Sequence, residues 1–201
     1  MKACDPTRLV VTDAVPQERG DAARNRMLIL DAARRLIAER GPDAVSTDDI
    51  AVAAGVGKGT LFRRFGSRAG LMMVLLDEDE KAQQQAFMFG PPPFGPGAPP
   101  LERLLAYGRE RLRFVHRHHA LLSDAARDPQ MRFADPFPLH RSHVRMLLET
   151  AGTTGDLDAQ ADALIALLDV DYVAHQLTDH GRTLDELATA WQDTARKLCG
   201  T

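Results

Sequence analysis

The stretch from Ser46 to Phe65 constrains this chain most, because it combines helix caps and turn residues within a short span. Ser46 and Thr47 are good N-cap residues, and the two aspartates that follow them suit the positive end of a helix dipole. Gly55 favours the left-handed conformation that ends a helix, and Gly57 can begin the next one. The stretch therefore predicts two short helices joined by a tight turn, the second over 58–65.

This second helix is predicted to have one apolar and one polar side. Leu61 and Phe65 are four residues apart and are expected to face the core. Lys58, Thr60 and Arg63 are left on the outside. A short helix that presents polar and cationic side chains is typical of a recognition helix in a DNA major groove.

The charge of the chain is divided unevenly. The 201 residues have a formal net charge of −3, but residues 1–70 contain 12 Lys/Arg and 9 Asp/Glu, a net of +3. The remainder contains 13 Lys/Arg and 19 Asp/Glu, a net of −6. A mildly basic N-terminal part on an acidic body suits a protein that touches phosphate with one end only.

Two further features bear on where the protein works. The longest apolar runs are six residues, far below the roughly 20 that a membrane span needs, and residues 1–23 lack the apolar region of a signal peptide. Cys4 and Cys199 lie near opposite ends without a partner at metal-binding spacing, so we expect reduced thiols. We expect a cytoplasmic protein without a membrane partner.

Apolar periodicity predicts an all-α chain of about nine helices after a disordered segment over 1–23. The predicted helices cover about 23–40, 46–54, 58–65, 67–89, 101–118, 119–127, 138–150, 157–180 and 184–198. Residues 90–100 contain six prolines and three glycines and are predicted to form a linker. The acidic run over 77–80 is predicted to be a solvated helix face.

The segment from Met27 to Leu76 resembles the DNA-binding domain of the TetR family of bacterial transcriptional repressors. Members of that family share an Ile-x-x-Ala-Ala helix ending in Gly, a Thr-x-x-Ile-Ala helix, Ala-Gly-Val, Ser-x-Gly-Thr-Leu-Tyr-x-x-Phe and a Ser-Lys-x-x-Leu helix start. The matching residues are Ile29, Ala32, Ala33, Gly41, Thr47, Ile50, Ala51, 54–56, Gly59, Thr60, Leu61, Phe65, Ser67 and Leu71.

The resemblance implies DNA contacts at defined positions. These are Ser46, Thr47, Gly57, Lys58, Gly59, Thr60, Phe62, Arg63 and Arg68. Three of these residues depart from the family pattern: Phe62 lacks the usual tyrosine hydroxyl, Gly57 replaces a serine cap, and Arg68 keeps the charge of a lysine. We expect Arg68 to be a phosphate clamp at its helix start.

The resemblance also implies an N-terminal helix-turn-helix domain over 24–70, a helical ligand-binding and dimerisation domain over 71–201, and a homodimer through the last two predicted helices. The expected function is that of a ligand-responsive repressor that binds a palindromic double-stranded DNA operator and an unknown small-molecule effector. A ligand pocket is expected where aromatic or polar residues interrupt apolar faces. These are Phe114, His118, Phe133, Phe137, His140, Tyr172 and His175, with Tyr172 and His175 facing inward.

Two alternatives remain open from the sequence. One is a DNA-binding regulator without a small-molecule ligand. The other is a metal-dependent enzyme built on the i, i+3 pairs His116/His119 and His140/His143. No third ligand joins these pairs at a recognisable spacing and no catalytic motif is present. We therefore expect histidines at the surface or the pocket edge, with no metal, no cofactor and no enzymatic activity.

Overall fold

The computed structural model describes residues 14–42, 44–126 and 136–200, and within these ranges it contains ten helices and no strand. The expected all-α class is confirmed. The helices are α1 Ala14–Arg40, α2 Thr47–Ala53, α3 Lys58–Phe65, α4 Arg68–Phe89, α5 Pro100–Arg117, α6 His119–Ala126, α7 Phe137–Thr150, α8 Leu157–Ala166, α9 Val170–Thr178 and α10 Leu184–Leu198.

Helix α1 begins earlier than the sequence predicted. Its helical residues include 14–23, which were expected to be disordered. This segment has no apolar stripe to indicate a helix, but Pro16 falls in the first turn, where proline is tolerated, and Ala22 and Ala23 are strong helix formers. The rest of the segment predicted to be disordered, 1–13, lies outside the described residues.

The single helix predicted over 157–180 is two helices, because the chain breaks between Ala166 and Val170. Asp169 caps the second helix: its carboxylate accepts hydrogen bonds from the backbone N–H groups of Asp171, at 3.0 Å, and Tyr172, at 3.2 Å. An aspartate that satisfies two free N–H groups stabilises a new helix start at this point.

The chain divides into two compact units, with the boundary between Leu75 and Leu76 inside α4. The core of the first unit is built from buried apolar residues of its helices, among them Ile29, Ala33, Ile50, Leu61 and Leu71. The core of the second unit includes Phe87, Leu104, Tyr107, Leu147, Leu164 and Trp191.

Residues 90–99 connect α4 to α5 without forming a helix, as the proline content predicted. Gly95 is buried within this connector, and Phe94 packs edge-on against Phe87 with ring centroids 6.1 Å apart. In the described part of the chain, no helix has both the length and the apolar character that crossing a membrane would require.

Candidate nucleic-acid interface and buried polar cluster

A reciprocal cap fixes the start of α2. The backbone N–H of Asp49 donates to Ser46 Oγ at 3.1 Å, and the backbone N–H of Ser46 donates to Asp49 Oδ2 at 3.0 Å. The hydrogen bonds from the side chain and backbone of Ser46 lower the pKa of Asp49. The Ser46 hydroxyl also donates to Asp49 at 2.6 Å, so this side chain is engaged in the cap as well as being a predicted DNA contact.

Helix α3 has the two sides that the sequence predicted. Leu61 is fully buried and Phe65 is 8% exposed, whereas Lys58, Gly59 and Arg63 are exposed. The turn before it depends on Gly55, whose φ of 66° lies in the left-handed region. Leu61 and Phe65 therefore anchor the helix while its polar side remains accessible.

The outer residues of α3 are not equally available. Phe62 is 39% exposed, Thr60 is half-buried, and Gly57 precedes the helix without a side-chain cap. Lys58 Nζ lies 2.7 Å from Asp48 Oδ1 on α2 and 5.9 Å from the centroid of the Phe62 ring. A DNA phosphate that contacts Lys58 would compete with this carboxylate for the ammonium group.

Two arginines of the first unit hydrogen-bond the protein's own backbone. The Arg68 guanidinium donates to the carbonyls of Val45, at 3.1 Å, and Pro42, and Arg64 donates to the carbonyl of Ala22. Arg68 therefore ties the start of α4 to the segment between α1 and α2, an internal role that the predicted phosphate clamp did not include.

In the second unit, five polar side chains form what we call the buried polar cluster: Glu80, Tyr107, Arg111, His140 and His143. Arg111 Nη1 lies 2.6 Å from Glu80 Oε2, and His140 Nε2 lies 2.5 Å from Glu80 Oε1. The Tyr107 hydroxyl and His140 Nδ1 are 2.8 Å apart. Residues of α4, α5 and α7 thus share one hydrogen-bonded chain.

Two sequence predictions were wrong here. Glu80 was assigned to a solvated face but is 7% exposed, and His140 and His143 were expected at a surface or pocket edge but are 3% and 7% exposed. Glu80 follows the buried Leu76 by four residues and precedes the buried Phe87 by seven, so it lies on the inner face of α4.

The protonation states follow from the contacts. Burial of Glu80 opposes ionisation, but the hydrogen bond from His140 and the charge of Arg111 outweigh it and hold the Glu80 pKa at about 2. Burial lowers the pKa of His140 more than its hydrogen bond to Glu80 raises it. His140 is therefore neutral at pH 7, with Nε2–H donating to Glu80 and Nδ1 accepting from the Tyr107 hydroxyl.

His143 differs from the rest of the cluster because its Nε2 has no hydrogen-bond partner among the described residues. Its ring lies 4.3 Å from that of Phe87 and 5.4 Å from that of Tyr107, centroid to centroid. Burial and the nearby charge of Arg103 lower its pKa to about 4. A neutral ring nitrogen that is buried without a partner is a candidate contact for a bound molecule.

The other predicted pocket residues are dispersed. Phe114 is buried against the His118 ring, with centroids 4.5 Å apart, and Phe137 packs at the edge of the second core. Phe133 lies outside the described residues. Tyr172, at 37% exposure, and His175 face outward, so their predicted inward orientation was wrong.

The outward orientation follows from the break before α9. An uninterrupted helix would keep residues 172 and 175 on the face of Leu164 and Leu168. The new helix start instead places Val170 and Val173 in the core, a change of phase that continuous periodicity cannot indicate.

Part of the first unit matches the model of a known protein family. Residues 29–73 match the family model described as "Bacterial regulatory proteins, tetR family". Two Mycobacterium tuberculosis proteins described as uncharacterized HTH-type transcriptional regulators, from strains CDC 1551 / Oshkosh and ATCC 25618 / H37Rv, are each 34% identical over 110 residues. The alignment covers 55% of this chain, which spans about half the length (52%) of these curated relatives.

Solved structures share the fold over most of the chain. A Saccharomonospora viridis protein in complex with choline aligns with a TM-score of 0.67 and 23% identity, covering 87% of this chain and 96% of that one. RolR in complex with resorcinol aligns with a TM-score of 0.58 and 20% identity, covering 90% and 95%. Residues 29–73 are therefore similar to the tetR family of bacterial regulatory proteins, and the chain as a whole shares the fold of these solved structures.

Proposed function

We propose that this chain is a ligand-responsive transcriptional regulator that binds a palindromic DNA operator as a homodimer in the cytoplasm and represses transcription. The observation that carries the proposal is α3, a short helix anchored by Leu61 and Phe65 with Lys58, Gly59 and Arg63 exposed. No catalytic role is proposed, since the matched family and the relatives are described as regulators.

The DNA-binding part of the proposal is tested with labelled duplexes that tile the sequence flanking the gene, measured by fluorescence anisotropy. Lys58→Ala and Arg63→Ala are expected to weaken binding to the tightest duplex. If a side chain contacts phosphate, its loss reduces the salt dependence, whereas loss of a base contact is selective for sequence. Lys81→Ala is the matched control, because Lys81 forms a similar exposed pair with Asp77, at 2.7 Å, on α4. Binding that is equal in all three variants would contradict the role of α3.

A small-molecule effector is supported by the choline and resorcinol complexes of proteins with this fold. We propose that the effector binds at the buried polar cluster and finds a hydrogen-bonding partner in His143 Nε2. Glu80 lies on α4, the helix that also carries Arg68. An effector that binds more tightly when α4 is displaced would lower the affinity for DNA by its differential affinity for the two states.

The effector site is tested with a panel of phenols and amines that starts with resorcinol and choline. An effector is a compound that raises the melting temperature and releases the operator. Its effect is expected to be lost in His143→Ala and kept in His116→Ala, where an exposed histidine of α5 is changed. An effector whose action survives His143→Ala would place the site elsewhere. DNA binding without any effector would favour a regulator that responds to no small molecule.

A further inference from the structure

Two exposed histidines meet at the end of α9. His175 Nε2 and His180 Nε2 lie 3.1 Å apart, and the rings meet at an angle, with planes inclined by 82° and centroids 4.7 Å apart. The other nitrogen of His175, Nδ1, lies 2.5 Å from Asp179 Oδ2. The backbone holds this geometry, because the N–H groups of Asp179 and His180 both donate to the His175 carbonyl, at 2.9 and 3.3 Å.

We propose that His175 and His180 form a binding site for a divalent transition-metal ion of the Zn²⁺, Ni²⁺ or Cu²⁺ type. Imidazole nitrogens suit these ions, with metal–nitrogen distances of about 2.0–2.1 Å. Two such nitrogens on one ion stand about 2.9–3.4 Å apart as the angle between them opens from about 90° to about 109°. The 3.1 Å separation lies inside this range, so the two nitrogens already stand at the spacing of two ligands on one ion.

Asp179 prepares His175 for this role. Asp179 Oδ2 lies 2.5 Å from His175 Nδ1, so the carboxylate accepts a hydrogen bond from Nδ1–H. A neutral His175 with its proton on Nδ1 presents an unprotonated Nε2 toward His180. A carboxylate that orients a histidine in this way is the usual outer partner of a metal-ligating imidazole.

The chain supplies two ligands to the proposed site. Among the described residues there is no group of three or more His, Cys, Asp or Glu side chains that could hold a metal. Water or a group from another molecule therefore completes the coordination. The side chains of His175 and Asp179 are 53% and 64% exposed, which gives an ion direct access. The site is separate from the buried polar cluster and does not depend on the proposed DNA function.

The test is calorimetric titration of Zn²⁺ into the tag-free, metal-stripped full chain. One ion per chain is expected. His175→Ala and His180→Ala should each weaken binding at least tenfold, and Asp179→Asn by roughly tenfold through loss of the outer partner. His116→Ala is the control and should leave the affinity unchanged. No binding by the wild-type chain, or equal binding by the double variant His175→Ala/His180→Ala, would overturn the proposal.

A second readout identifies the ligands directly. Cu²⁺ added at one ion per chain should give an electron paramagnetic resonance spectrum split by two nitrogen nuclei. Each single histidine variant should lose one of these couplings, whereas His116→Ala should keep both. Spectra without nitrogen coupling, or couplings that persist in both single variants, would show that the two histidines form only a hydrogen-bonded pair.

Discussion

At the residue scale, the Asp48–Lys58 ion pair is the contact that DNA binding would change most directly. The pair spans α2 and α3 at 2.7 Å, and both side chains are exposed. Asp48→Asn removes the competing carboxylate and a negative charge that would repel phosphate. We predict roughly threefold tighter operator binding at low salt, with the gain fading as salt screens the charge.

The Asp48→Asn prediction is checked by anisotropy titrations over a range of salt concentrations. Asp77→Asn serves as the control, since it breaks the comparable Lys81–Asp77 pair on α4 and should not alter DNA affinity. Operator binding that is weaker in Asp48→Asn than in the wild type would mean that Asp48 orders Lys58 for DNA binding. It would contradict the view that the Asp48 carboxylate competes with DNA phosphate for Lys58.

The buried polar cluster yields a stability prediction. Glu80→Gln removes the countercharge of Arg111, whose side chain is only 13% exposed. Removing one partner of a buried ion pair costs about 3 kcal/mol of unfolding free energy, because the other charge is left without compensation. Urea unfolding followed by the fluorescence of Trp191, the chain's one tryptophan, reports on the unit that contains the cluster.

The control for Glu80→Gln is Glu149→Gln. It breaks an exposed i, i+4 pair in which Arg145 lies 3.1 Å from Glu149, and an exposed pair of this kind contributes little. Equal urea midpoints for the two variants would show that Glu80 is not an ionised partner of Arg111.

The buried His143 makes the stability of the second unit depend on pH. Its pKa in the folded chain is about 4, below the 6.5 that is usual for histidine, so the unfolded chain takes up the proton first as the pH falls. The stability from a neutral His143 is complete above about pH 6.5 and declines as the pH falls toward 4, by up to about 1.4 kcal/mol per pH unit. Glu80, with a pKa near 2, adds a loss only below about pH 4.5.

This dependence is measured as the slope of unfolding free energy against pH between 6.5 and 4.5. His143→Asn should flatten the slope, because it removes one titrating group, whereas His116→Asn should leave the slope unchanged. An unaltered slope in His143→Asn would assign the proton uptake to another residue, with His140 the next candidate because its pKa is also lowered.

Residue identity alone could not separate the roles of the cations in the first unit. Lys58, Arg64 and Arg68 all follow the polar pattern of a DNA-binding surface, yet the two arginines donate to backbone carbonyls and Lys58 pairs with a carboxylate. An arginine can donate to a phosphate or to a carbonyl with the same geometry. Only the three-dimensional positions of the Pro42 and Val45 carbonyls decide which partner Arg68 contacts.

At the element scale, α5 and α10 approach each other closely at Gly108, which has no side chain. A Cβ atom at Gly108 would lie 2.1 Å from the ring of Trp191. Trp191 cannot easily turn away, because it is buried and its Nε1–H donates to the Leu164 carbonyl at 2.9 Å. Although Gly→Ala in a helix gains about 1 kcal/mol, we predict a net loss of about 1–2 kcal/mol for Gly108→Ala from overpacking.

Thermal unfolding followed by circular dichroism checks the Gly108→Ala prediction. Gly20→Ala in α1 is the matched control, since nothing lies within 4 Å of a Cβ atom at that position, and it should raise the stability of α1 slightly. A Gly108→Ala variant that melts above the wild type would show that the α5–α10 contact can open at little cost.

The elements of this fold were largely predictable because their ends carry local signals. Caps at Ser46 and Thr183 and the left-handed glycines at 55 and 181 set helix boundaries close to those predicted. The break at Asp169 was missed because an aspartate that follows an apolar run, here 163–168, fits both a helix interior and a helix start. That one boundary changed the exposure of Tyr172 and His175, and with it part of the predicted pocket.

At the scale of the whole molecule, the proposed dimer sets the geometry of the operator. A single recognition helix reads few base pairs, so specific binding needs two copies of α3 in major grooves about one turn, 34–36 Å, apart. In solution the dimer should have a mass of about 44 kDa, twice the 22.1 kDa of the chain. Light scattering after size exclusion at micromolar protein measures this mass directly.

The same geometry predicts how the operator responds to insertions between its half-sites. Five added base pairs turn one half-site by about half a helical turn, so the two α3 helices can no longer face the same side of the duplex. We expect binding to fall to that of a single half-site. Ten added base pairs restore the facing direction but lengthen the separation by about 34 Å, so affinity should recover only if the dimer can span it. Binding that tolerates the five-pair insertion, or a 22 kDa species bound to a full operator, would contradict a rigid two-fold dimer and point to independent binding of single chains.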